Sequence, residues 1–110
     1  MNQVYLIKRV DENKFKVGVT KNTKQRLQTL QTANAEKLEL ITTYPSSKWA
    51  YRIETAFKNQ YKLKRMNGEW FELDDNDINE FKNFCYRQES TFDFLYESNV
   101  IFKNMIDSGR

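Results

Sequence analysis

The chain has 110 residues, 39% of them hydrophobic and 15% aromatic, with only three Gly and one Pro. It is long enough for one domain with its own core, and its composition excludes a low-complexity or disordered chain. The net charge is +3, from 18 Lys+Arg against 15 Asp+Glu, and the absence of histidine excludes a Ser-His-Asp triad, a Cys-His pair and a His-ligated zinc.

Any catalysis must therefore run on Tyr, Lys, Arg, carboxylates or a metal bound through oxygen. The one cysteine, Cys85, cannot form an internal disulfide, which fits a reducing compartment. The first apolar run, Val4 to Ile7, lacks the sequel of a signal peptide, and no segment approaches the roughly 20 apolar residues of a membrane span. A cytoplasmic setting without a membrane partner is expected. Charge is unevenly spread. Glu69, Glu72, Asp74, Asp75 and Asp77 form an acidic stretch with no base among them, and the basic excess lies before Trp70.

Val4 to Val10 has strand composition, with Val4 and Leu6 facing one way and Tyr5 and Ile7 the other. Asp11-Glu12-Asn13 suits a tight connection, because Asp and Asn bond their own backbone in turns. Phe15, Val17 and Val19 alternate with Lys16 and Gly18 in a second strand, antiparallel to the first. Alternation puts Lys16 and Gly18 on one face. Asn22 with Gln25 resembles a capping box and opens a helix to about Ala33, with Leu27 and Leu30 as its buried stripe. Arg26 lies about 100° from Leu27 and can reach back to the sheet or remain solvated.

Leu38 to Tyr44 reads as a third strand closed by Pro45. Ser46 or Ser47 then caps a helix through about Leu63, whose apolar face is Trp49, Ile53, Ala56, Phe57 and Tyr61. Glu54 falls at the edge of that face, where it can reach solvent or pair with Lys58 at i+4. Asn67-Gly68 marks a turn. Glu69 to Leu73 is a short apolar element that can serve as an edge strand. Asp74 caps the next helix, with Asp77 completing the box and Leu73 and Ile78 placed for a hydrophobic staple. Ile78, Phe81 and Cys85 continue its stripe, so Cys85 is expected to be a buried hydrophobe. Ser90 is expected to cap a last helix carrying Phe92, Leu95, Phe102 and Ile106. That tail either packs on the domain or offers a surface for a homodimer. The β-β-α-β-α order followed by helices specifies an α+β domain on a small three-stranded antiparallel sheet.

The ordered set of VYLI at 4–7, FKVGVT at 15–20, Arg26, Glu54 and GEWFEL at 68–73 resembles the GIY-YIG nuclease superfamily. It is most similar to a phage- and virus-rich branch with a KIGxT-like second strand and a terminal GEWF. The resemblance covers about residues 3–73. It implies a nuclease-like domain over 1–73 with a helical extension over 74–110. It also implies an endonuclease that hydrolyses DNA phosphodiesters with one Mg²⁺ or Mn²⁺. Tyr5 would lie at the nucleophilic water, Arg26 would stabilise charge on the phosphate, Glu54 would hold the cation, and Gly18 would leave room at the site. Three positions depart from the pattern: Gln3 stands where the first motif has its glycine, Lys16 where the second motif has its tyrosine, and Lys58 where a histidine often stands one turn after the glutamate. Lys16 is thereby a candidate catalytic residue. Lys8, Lys14, Lys21 and Lys24, with Arg26, form a basic hairpin-helix surface suited to DNA backbone contacts. A second reading keeps the fold and the nucleic-acid or protein binding but not the cleavage.

Overall fold

The computed structural model describes residues 1–109. Two hairpin strands lead the chain, β1 (Gln3–Arg9) and β2 (Lys14–Thr20), followed by α1 (Thr23–Thr32), β3 (Leu38–Pro45) and α2 (Ala50–Gln60). After a 3₁₀ turn at Lys62–Lys64 come β4 (Phe71–Glu72), α3 (Asp75–Asn79), α4 (Phe81–Ser98) and α5 (Val100–Asp107). The α+β class holds, but the antiparallel sheet has four strands, in the order β3-β1-β2-β4, where three were expected. The extra strand is part of the GEWFEL segment. Its Phe71 is buried, so its backbone is carried against the end of β2, where it pairs with Lys14 and Phe15.

Alternation along β1 divides the protein into two apolar layers. Val4 and Leu6, with Phe15 and Val17 of β2, pack under α2 and α4 in a cluster built on Trp49, Ile53, Phe57, Phe81 and Phe84. Tyr5 and Ile7 face the other way and join Leu38, with Leu27 and Leu30 of α1 and Trp70 packed over them. A register shift between Leu6 and Ile7 leaves Ile41 of β3 opposite no residue. This bulge lets Leu40 join the second layer while Ile41 joins the first.

Local signals placed most of the helix ends. Asn22 Oδ1 accepts from Gln25 N at 3.0 Å and starts α1. Asp74 and Asp77 bond each other's backbone N–H at 2.8 and 3.1 Å in a full capping box. Three expectations are corrected. α2 begins at Ala50, beyond the two serines. Ser46 instead accepts from Trp49 N at 3.1 Å and holds the turn that leads into the helix. α2 also stops at Gln60, and Leu63 lies in the 3₁₀ turn. Finally, Ser90 caps nothing. With neither Gly nor Pro to interrupt it, α4 runs through Ser90, and Asn99 caps the last helix by accepting from Phe102 N at 3.0 Å.

The tail packs on the domain. Trp49, 2% exposed, is ringed by Phe92, Tyr96 and Phe102 at centroid distances of 5.6, 6.0 and 6.0 Å. Its indole N–H donates to Asp93 at 2.7 Å. One turn earlier, the Glu89 carboxylate accepts from both Tyr44 Oη and Ser46 Oγ at 2.6 Å, which ties α4 to the end of β3. Burial, reinforced by this carboxylate, pushes the Tyr44 phenol well above its ordinary range. Cys85 is fully buried, and burial pushes its thiol up to about 12.

Glu89→Ala strands two hydroxyls, the Ser46 one buried, and is expected to cost about 1–3 kcal/mol in urea denaturation. Cys85 is expected to resist alkylation in the native protein and to react once denatured, because only the exposed thiolate is nucleophilic.

Candidate active site

β4 covers only the Lys14–Phe15 end of β2. Beyond it β2 is a free sheet edge, and a cleft of about 170 Å³ opens there, lined by Tyr5, Gly18, Lys16, Arg26, Tyr51, Glu54, Lys58 and Glu69. The hairpin, α1, α2 and the GEWF segment thus each contribute side chains to one place.

Tyr5 stands directly across from Gly18 in the β1–β2 register and is 2% exposed. A Cβ on Gly18 would overlap the Tyr5 hydroxyl and ring carbons. Gly18 has an ordinary backbone conformation, so what this position requires is space and not a left-handed turn. The freed volume brings the phenol to the cleft wall, where Arg26 Nε donates to Tyr5 Oη at 3.3 Å. Arg26 is half-buried on a helix with no buried residue of its own. Of its two open orientations, the chain takes the one turned to the sheet.

Tyr51, Glu54 and Lys58 follow at helical spacing along α2, with Glu54 at the edge of the face that buries Ile53 and Phe57. Lys58 Nζ lies 3.4 Å from Glu54 Oε2 and 3.9 Å from Glu69 Oε1. Lys16, whose side chain is only 11% exposed, gives its ammonium to Glu69 Oε2. This contact holds the Glu69 carboxyl below the usual carboxylate range, first through the hydrogen bond and then through charge. Because the folded carboxyl is depressed, its contribution to stability is present above the ordinary carboxylate range and is lost as pH falls through the folded value.

Glu69 and Tyr51 were not singled out as site residues from the sequence. The signal for Glu69 was its position in GEWF, which the acidic run after it obscured. Gly68, at φ +75°, turns the chain, and Arg65 Nε closes the loop by donating to Gly68 O at 2.8 Å. Glu69 then meets Lys16, Trp70 stacks under Arg9 at 4.2 Å, and Phe71 enters the main core. Nothing in the pattern around Tyr51 marked it.

The four lysines expected on a basic surface lie outside the cleft. Lys8 is opposite Phe15 with its ammonium 5.7 Å from that ring, on the sheet face away from Tyr5. Lys14 pairs with Glu12 at 3.5 Å. Lys21 and Lys24 are exposed at the start of α1.

With Lys16, Arg26 and Lys58 against Glu54 and Glu69, cations outnumber carboxylates in the cleft, so an anion is the matching ligand. The donors that could hold a metal are hard oxygens: two carboxylates and a phenol. Among the described residues no three of His, Cys, Asp and Glu gather as a metal-binding group. This donor set suits a hard divalent cation that keeps most of its waters and takes one or two carboxylates.

The T5orf172 domain profile matches residues 2–86, well over half of the chain. The chain belongs to the T5orf172 domain family. That family is associated with phage-type, endonuclease-like domains. The match takes in every residue of the cleft and stops within α4. No curated protein and no solved structure matches the chain. Among the described residues no helix is long and apolar enough to cross a membrane.

Gly18→Ala is expected to drive Tyr5 from its place, lowering stability by about 1–3 kcal/mol in urea denaturation as overpacking does. An unchanged denaturation midpoint would show that Tyr5 has room to spare.

Proposed function

We propose that this T5orf172 domain is a GIY-YIG-type endonuclease that hydrolyses phosphodiester bonds in DNA. The observation that carries the reading is the convergence of Tyr5, Gly18, Arg26 and Glu54 on one cleft with a cation excess. These are the residues that the resemblance to GIY-YIG nucleases assigns to the chemistry.

The residues have complementary tasks. Arg26 presents a planar fork of N–H donors, suited to non-bridging phosphate oxygens as negative charge grows on them. Its Nε simultaneously orients the Tyr5 hydroxyl. Tyr5, held at the wall with its ring enclosed, would act in its phenolate form, taking the proton of an attacking water as the water oxygen bonds to phosphorus and the leaving oxygen departs. Lys16, nearly enclosed and directed by Glu69, adds a fixed positive charge on the same sheet face. Glu54 would hold Mg²⁺ or Mn²⁺ by one carboxylate, and such an ion supplies charge neutralisation and a more acidic bound water. Lys21 and Lys24 lie on exposed surface at the α1 end, where contacts to flanking phosphates add salt-dependent affinity.

A second reading, a domain that binds nucleic acid without cutting it, is favoured by one observation. Both cleft carboxylates are already paired with lysines. The two readings separate on a plasmid. Nicking that requires Mg²⁺ or Mn²⁺, is stopped by EDTA and falls by about 100-fold or more in Arg26→Ala and Glu54→Gln is expected of the nuclease. Salt-sensitive binding without cleavage over a broad DNA panel favours the binding module. Cleavage that both variants perform as well as the parent contradicts the site.

A further inference from the structure

Lys58 is the residue that the proposed chemistry leaves without a task, yet it makes the closest contact to the carboxylate on which that chemistry depends. We propose that the Lys58 ammonium is the resident counter-ion of Glu54, and that a divalent cation occupies Glu54 only by displacing Lys58 onto Glu69. This rests on the reading of Glu54 as the cation-holding carboxylate.

The geometry provides both positions. Lys58 Nζ is 3.4 Å from Glu54 Oε2, an i,i+4 pair on α2, and 3.9 Å from Glu69 Oε1 across the cleft. The ammonium therefore stands between two carboxylates and can leave the first without losing an ion pair. Glu69 can receive it, because Lys16 uses the other oxygen, Oε2. The Glu54 side chain is 20% exposed and that of Lys58 31%. The pair is thus neither fully screened by water nor sealed inside, a setting in which opening an ion pair is affordable.

Electrostatics makes the displacement necessary. An ammonium at contact distance from Glu54 neutralises the charge that would attract a metal, and it repels a doubly charged ion placed on the same oxygens. Once Lys58 moves to Glu69, the cation meets a free carboxylate and a more distant ammonium. Cation affinity in the free protein is consequently lower than the donor set alone would provide, and Glu54 stays neutralised until an ion or a substrate phosphate redistributes the lysines.

Mn²⁺ alone, titrated into the full chain and followed by the EPR signal of the free ion, tests this without any cleavage. Lys58→Met is expected to bind Mn²⁺ about tenfold more tightly than the parent, and Lys58→Arg, which keeps the charge, at parental affinity. Lys62→Met, at an exposed position outside the cleft, is expected to stay within about twofold of the parent, since salt screens a distant charge. Glu54→Gln is expected to lose the site with or without Lys58.

Equal affinities for the parent and Lys58→Met overturn the displacement while leaving the Glu54 assignment intact, provided Glu54→Gln is weaker. A gain in Lys62→Met as large as in Lys58→Met overturns it as well, by showing a general charge effect. Absence of Mn²⁺ binding in every variant, Lys58→Met included, overturns the cation reading of Glu54 and the displacement together.

Discussion

The site depends on a steric constraint: Tyr5 lies across the hairpin from a residue with no side chain. In a β-ladder, directly opposed residues bring their Cβ atoms close together, and a buried tyrosine needs that space. Gly18 yields it, and the phenol ends at the wall of the cleft within reach of Arg26. Two residues adjacent in the ladder, but thirteen positions apart along the chain, thereby set where the Tyr5 phenol sits in the cleft. The placement of α1 follows from it too, since Leu27 and Leu30 pack on the layer that Tyr5 and Ile7 begin.

The remaining groups arrive through the opposite layer. α2 is anchored by Ile53 and Phe57 in the main core, and the helical repeat carries Tyr51, Glu54 and Lys58 beside that face to the edge of β2. The GEWF segment joins the two layers: Trp70 belongs to the Tyr5 side, Phe71 to the α2 side, and Glu69 to the cleft between them. The shortness of β4 matters for the same reason. A longer strand would have covered β2 as far as Gly18 and closed the cleft. The α4–α5 tail supports this arrangement from behind, through Glu89 on Tyr44 and Ser46 and through the aromatic ring around Trp49.

Much of this was legible from the sequence, where the rules are local. Alternation separated Val4 and Leu6 from Tyr5 and Ile7 correctly, Asn22 and Asp74 announced their helices, and the i+4 spacing anticipated the Glu54–Lys58 pair. Lys16 was correctly placed on the face of Gly18. What failed required knowledge of distant partners. Ser90 has the chemistry of a cap, but an unbroken helix overrode it. Ser46 was recruited by Glu89, far along the chain, and so became part of a turn ahead of α2. The fourth strand falls inside the Glu69 to Leu73 segment that was open to an edge-strand reading, and it joins the sheet because Phe71 is drawn into the core. Glu69 meets Lys16 only when the Gly68 turn folds back, so the ion-pair network was invisible in either segment alone.

The chemistry assigned to the cleft converges on one hydroxyl group. Tyr5→Phe keeps the ring over Gly18 and removes only the oxygen that Arg26 contacts, which isolates proton transfer from packing. Measured on a DNA phosphodiester in the presence of Mg²⁺, the variant is expected to fold and bind DNA as the parent does, yet to hydrolyse it at least about 100-fold more slowly. Hydrolysis by Tyr5→Phe at the parental rate would contradict the placement of the reaction at this tyrosine.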